Sequence, residues 1–159
     1  MAWRRTALVA CVLPLAATAA FGCELVLSEH RSERALTRLP LDPVRPAAQI
    51  AFTHSVLGTP VVDYYEWRVD GAGRWRAHMV QEHYEGDGYG LPNAAGPGER
   101  LVRDGEGWRL YLDRIVHPLV VLPLPSQFMR VVIGDHPAVL LGGLSDKSID
   151  MRAENCLPQ

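Results

Sequence analysis

The stretch Arg74-Trp75-Arg76-Ala77-His78-Met79-Val80-Gln81-Glu82-His83 decides the fold. Over its first half the residues alternate, with Trp75, Ala77 and Met79 on one side and Arg74, Arg76 and His78 on the other. Side chains of a strand point to opposite faces in turn, so this pattern describes a strand of an antiparallel sheet with one dry and one wet face. Immediately upstream, Asp70-Gly71-Ala72-Gly73 supplies residues that tolerate a tight turn, and before it Val61 to Val69, with Tyr64, Tyr65 and Trp67, reads as the partner strand.

Working outward, the same signals recur. Glu24 to Ser28 and Ala35 to Leu39 alternate, and Ala48 to Val56 forms a third strand before Val61 to Val69. On the C-terminal side, Arg100 to Arg103 and Trp108 to Leu112 flank the turn Asp104-Gly105-Glu106-Gly107. Phe128 to Ile133 and Ala138 to Leu141 flank Gly134-Asp135-His136-Pro137, and Ser148 to Arg152 closes the series. Past the N-terminal segment, no window of about ten residues keeps a helical apolar period free of glycine and proline. The expected fold is all-β, an antiparallel β-sandwich or partly open β-barrel of about ten short strands. One long irregular stretch, Glu85 to Gly98, holds five glycines and two prolines. Loops of that length in compact domains are commonly functional.

The N-terminus reads as an export signal. Arg4 and Arg5 precede an uncharged apolar run from Thr6 to Ala20, and Ala20-Phe21-Gly22 is a small-x-small cleavage site. The stretch from Thr6 to Gly22 is 17 residues long and contains Pro14, short for the roughly 20 apolar residues that span a bilayer. The division is therefore residues 1–22 as signal peptide and 23–159 as one β-rich exported domain, periplasmic or secreted. Without Arg4 and Arg5 the chain holds 14 basic against 18 acidic residues, a net charge of −4, which argues against a nucleic-acid partner. Two cysteines remain, Cys23 and Cys156. In an oxidising compartment they invite a disulfide; lipidation of Cys23, as in a bacterial lipoprotein, would exclude that bridge and bring the domain to a membrane.

Two segments stand apart from ordinary strand sequence. In the first, a strand ends on His54 and Ser55, turns through Gly58-Thr59-Pro60 and returns with Asp63, Tyr64 and Tyr65. If it is a hairpin, His54 and Asp63 lie on paired strands and can face each other, an imidazole oriented by a carboxylate. The second is Gly88-Tyr89-Gly90-Leu91-Pro92, whose glycines allow close backbone approach to a ligand or chain. His54-Ser55-Val56, Thr59-Pro60-Val61 with Asp63 and Tyr65, and the Gly88 to Pro92 step together resemble the bacterial domain-of-unknown-function family 1850, over about Cys23 to Arg152. The resemblance implies a small exported protein of the kind often encoded beside TRAP-type solute transporters of the TAXI class. It implies no activity and supplies no catalytic residue.

His54, Ser55 and Asp63 contain the residue types of a nucleophile triad. Adjacent residues of a strand face opposite sides, so Ser55 is out of reach of the His54 ring. His78 and His83 are five apart, which sends them to opposite faces of a regular strand, and no metal-ligand spacing occurs; a metal would need His54, Asp63, Glu82 and His83 to converge. The favoured expectation is a noncatalytic binding or interaction module, without cofactor, accessory to TRAP-type transport, whose partner is a transporter component or a small solute. Its surface would comprise His54, Ser55, Thr59, Asp63 and Gly88, Tyr89, Gly90, Leu91 and Pro92. Two alternatives stand beside it: a small exported hydrolase or metal-dependent enzyme using His54 with Asp63 or Glu82, and a structural envelope protein without a small ligand.

Overall fold

A computed structural model describes residues 22–157. The export signal expected at residues 1–22 lies, but for Gly22, outside the described residues. Eleven strands run along the described chain: β1 Glu24–Glu29, β2 Ala35–Pro40, β3 Ala47–Thr53, β4 Pro60–Val69, β5 Trp75–Tyr84, β6 Arg100–Asp104, β7 Gly107–Val116, β8 Leu119–Val121, β9 Arg130–Val132, β10 Val139–Leu140 and β11 Ile149–Glu154. The helical content of the described residues is two short 3-10 turns, Pro125–Gln127 and Leu141–Gly143, and no helix there is long and apolar enough to cross a membrane.

The strands form two antiparallel sheets, one of four strands in the order β2-β1-β11-β8 and one of seven in the order β10-β9-β3-β4-β5-β7-β6. The main core lies between them. Leu25, Leu27, Ile149, Met151 and Ala153 come from the smaller sheet, and Ala48, Ile50, Tyr65, Trp67, Ala77 and Val131 from the larger. Full burial of an aliphatic side chain of this size stabilises by about 1.5–3 kcal/mol. The architecture is thus the sandwich of the two expected forms, and neither sheet closes into a barrel.

Four strands cannot cover seven. A second, smaller apolar cluster, Val61, Tyr84, Leu91, Leu110 and Leu112, sits where the larger sheet extends beyond its partner. Four of these residues belong to β4, β5 and β7, and Leu91 comes from the glycine-rich loop. That loop is the missing piece of the second layer.

At the far end of the molecule Cys23 and Cys156 are at disulfide distance, with their Cα atoms 4.1 Å apart across a sequence separation of 133. Nearby in the sequence, Glu29 is 4% exposed and accepts hydrogen bonds from Ser32, Arg34, Ser145 and Lys147, which joins the β1–β2 turn to the segment before β11. The Arg34 and Ser32 hydrogen bonds hold its carboxyl well below the ordinary range, at about 2.

Candidate functional site

The third strand stops at Thr53 rather than at Val56, because the chain turns on His54. His54 N–H donates to the Thr59 carbonyl at 2.8 Å, and Gly58 N–H donates to the His54 carbonyl at 2.9 Å. The His54 ring completes the turn: Nδ1 accepts the Val56 and Leu57 amides at 3.3 and 3.2 Å. A ring nitrogen that accepts two amides carries no proton, so the proton of the neutral ring sits on Nε2. Nε2 is 3.2 Å from the carbonyl oxygen of Tyr89 and donates to it. Beside it, Thr59 Oγ1 donates to the Glu85 carbonyl at 2.7 Å. Two side chains of one turn therefore hold the backbone of the glycine-rich loop.

The loop is shaped to receive them. Gly88, Tyr89 and Gly90 all have positive φ, 78°, 53° and 93°. Glycine adopts that conformation freely, whereas for tyrosine it is strained. The twist that results turns Leu91 inward under the loop, where it is buried, and leaves Tyr89 outside, 71% exposed. Tyr84 Oη donates to the Pro92 carbonyl and pins the descending limb. Gly107 at the start of β7 lies against the Tyr84 carbonyl so closely that a Cβ could not be accommodated. Ser55 is exposed beside Val56, itself 62% exposed, on the same corner. The expected binding residues thus divide into His54 and Thr59, which fasten the loop, Leu91 and Pro92, which seat it, and Ser55 and Tyr89, which face solvent.

Asp63 belongs elsewhere. Along β4 the inward positions are Val61, Asp63, Tyr65 and Trp67, so Asp63 points into the sandwich between the two apolar clusters. Its cross-strand neighbours are Ile50 on β3 and Glu82 on β5. The expected pairing of His54 with Asp63 is not formed: the register places Thr53 opposite Pro60, and both His54 ring nitrogens are engaged with backbone. The His54–Glu82 pair of the enzyme alternative is absent for the same reason. Tyr65 Oη reaches Asp63 Oδ2 at 3.5 Å, and Oδ1 is buried without a hydrogen-bond partner among the described residues. Burial, with Glu82 adding repulsion, pushes the Asp63 carboxyl up to about 7. Burial also raises Glu82, against the attraction of Arg114, while burial and the neighbouring Asp63 raise the Tyr65 phenol.

Sequence spacing places His78 and His83 on opposite faces of a regular strand. The structure brings both to the outer face, because Tyr64 and Tyr65 of β4 pair with Gln81 and Met79 of β5 and Val80 becomes an extra residue. His78 Nδ1 lies 2.7 Å from Asp113 Oδ1, and His83 Nε2 lies 3.7 Å from Asp104 Oδ2. Among the described residues no three His, Cys, Asp or Glu side chains converge as metal ligands would.

These features define a class, a two-sheet β-sandwich whose uncovered sheet end is roofed by a latched glycine-rich loop. The chain belongs to the family described as Domain of unknown function (DUF1850), whose model matches residues 48–136, more than half of its length. The matched segment contains the His54 turn, the loop and most of the larger sheet, and leaves out β1, β2 and β11. No curated protein and no solved structure gives a significant match.

Proposed function

We propose that this protein is a noncatalytic, extracytoplasmic interaction module accessory to TRAP-type solute transport, and that its contact point is the corner formed by the His54 turn and the Gly88 to Pro92 loop. The observation that carries this reading is Tyr89. A large aromatic side chain is held outside the protein, 71% exposed, on a backbone with φ 53°, while its own carbonyl is gripped by His54. Stability alone does not call for that arrangement, since a glycine would adopt the same φ without strain and an exposed ring leaves its apolar area in water. Strained residues that the surroundings hold in place are a mark of working sites. Aromatic side chains are in turn the residues that most often anchor protein contacts. Val56 adds a second exposed apolar side chain on the same corner.

The test places a photo-crosslinking amino acid at position 89 in cells that express a TAXI-class TRAP transporter. A crosslink to one of the transporter's subunits is expected, and it should fade when unlabelled wild-type protein competes. In binding measurements with that purified subunit, Tyr89→Ala should weaken affinity by at least tenfold with the thermal midpoint unchanged. A Tyr89→Ala protein that binds as well as wild type would remove the corner from the contact.

A further inference from the structure

One row of side chains on the outer face of the seven-stranded sheet crosses five strands in register. Gln49 on β3 stands opposite Tyr64 on β4, Tyr64 opposite Gln81 on β5, Gln81 opposite Tyr111 on β7, and Tyr111 opposite Arg100 on β6. At a strand spacing of about 4.8 Å the row is roughly 19 Å long. It runs along a shallow groove of about 420 Å³ to which Gln49, Tyr64, Gln81 and Tyr111 all contribute. The two shifts of strand pairing, at Tyr64/Tyr65 and at Met79/Gln81, both fall on this groove. Such bulges sharpen local twist and re-aim side chains, and they concentrate beside working sites.

The bonding of this row differs from that of its surroundings. On either side the charged groups are joined to one another: Arg68 to Glu66 and Asp113, His78 to Asp113, and Arg109 to Asp104. Along the row, the carboxamides of Gln49 and Gln81 and the hydroxyls of Tyr64 and Tyr111 make no hydrogen bond among the described residues, although all four side chains are half-buried. At the end of the row, the Arg100 guanidinium lies over the Tyr111 ring, 4.2 Å from its centroid. From Gln49 to Tyr111 the row is a strip of neutral groups with unfilled donor and acceptor positions, and the one carboxylate that lines the groove, Glu66, is paired with Arg68.

We infer that this groove is a binding site for a linear neutral oligosaccharide. A sugar chain offers alternating apolar ring faces and closely spaced hydroxyls that both donate and accept, the complement of alternating phenol rings and carboxamides. An extended peptide is a poorer match, because peptides add to sheets at an edge through main-chain bonds, and here the main chain of β3, β4, β5 and β7 is already paired on both sides. A fully charged ligand would meet only Arg100 from the row itself. The site lies on the sheet face and shares no residue with the loop corner, so it stands whether or not that corner binds a transporter.

The experiment titrates the purified domain with maltohexaose, cellohexaose, xylohexaose and chitohexaose by calorimetry and by intrinsic fluorescence. At least one should bind. For that sugar, Tyr64→Ala and Gln81→Ala should each weaken binding by tenfold or more, while Tyr89→Ala leaves it unchanged. Gln81→Glu, which keeps the size of the side chain, serves if an alanine variant does not fold, and it should likewise weaken binding. Failure of all four sugars to bind overturns the inference. So does binding that the groove substitutions do not alter.

Discussion

A carboxyl group turned into a sandwich either finds partners or holds its proton more tightly, and with Tyr65 alone in reach of Asp63 burial pushes this carboxyl toward the second. Its ordinary value is near 3.8 and burial lifts it to about 7. Between those two pH values the folded protein holds a proton that the unfolded chain has released, so this group's contribution to stability falls as pH rises through the window and then levels off. Asp63→Asn removes the ionisation and keeps the shape. At pH 8 the variant should be more stable than wild type by roughly 1–4 kcal/mol, and the gap should close toward pH 4, as followed by urea unfolding at several pH values. No gap at pH 8 would mean that the ionised carboxylate gains a partner in the folded state. The sequence held a clue to this placement, since Asp63 shares its parity with Val61, Tyr65 and Trp67, the dry side of β4. The turn chemistry around Thr59 and Pro60 pointed instead to a facing His54. What could not be read was the length of that turn, because His54 caps it with its own ring, a bond that depends on a side-chain rotamer rather than on any residue pattern.

Among the elements, the loop from Glu85 to Gly98 has the largest part, because it completes a layer that the smaller sheet leaves short. Leu91→Ala should therefore cost about 2–3 kcal/mol, as a buried leucine would, although it lies in a loop. The loss should appear as a lower denaturation midpoint, and faster amide exchange is expected at Val61, Tyr84 and Leu110, its neighbours in the cluster. A change below half a kcal/mol would show that the loop rests on the sheet without stabilising it. Most strands were legible because their alternation is regular, as in Trp75, Ala77 and Met79 of β5. The strand β8, Leu119–Val121, was not, since the four apolar residues between Pro118 and Pro123 show no alternation at all. The strand expected from Phe128 to Ile133 shortens to Arg130–Val132, because Phe128 at φ 47° closes the preceding 3-10 turn. The extra residue at Val80, which reverses the facing of His83, arises from pairing with β4 and leaves no local trace.

At the scale of the whole molecule, the pairing of Cys23 with Cys156 is the longest-range constraint among the described residues, and it joins the start of β1 to the end of β11. Tying a loop of that length restricts the unfolded chain, an effect worth about 4–5 kcal/mol in the chain-entropy model. Reductant, or Cys156→Ala, should lower the denaturation midpoint accordingly, and a variant with the wild-type midpoint would show that the two cysteines do not bridge in solution. The bridge also determines how the molecule answers a mechanical load. A pull between residues 23 and 156 is borne by one covalent bond, so neither sheet is peeled and the domain does not lengthen. A tether attached at those two points would itself extend before it disturbed the groove or the latched loop.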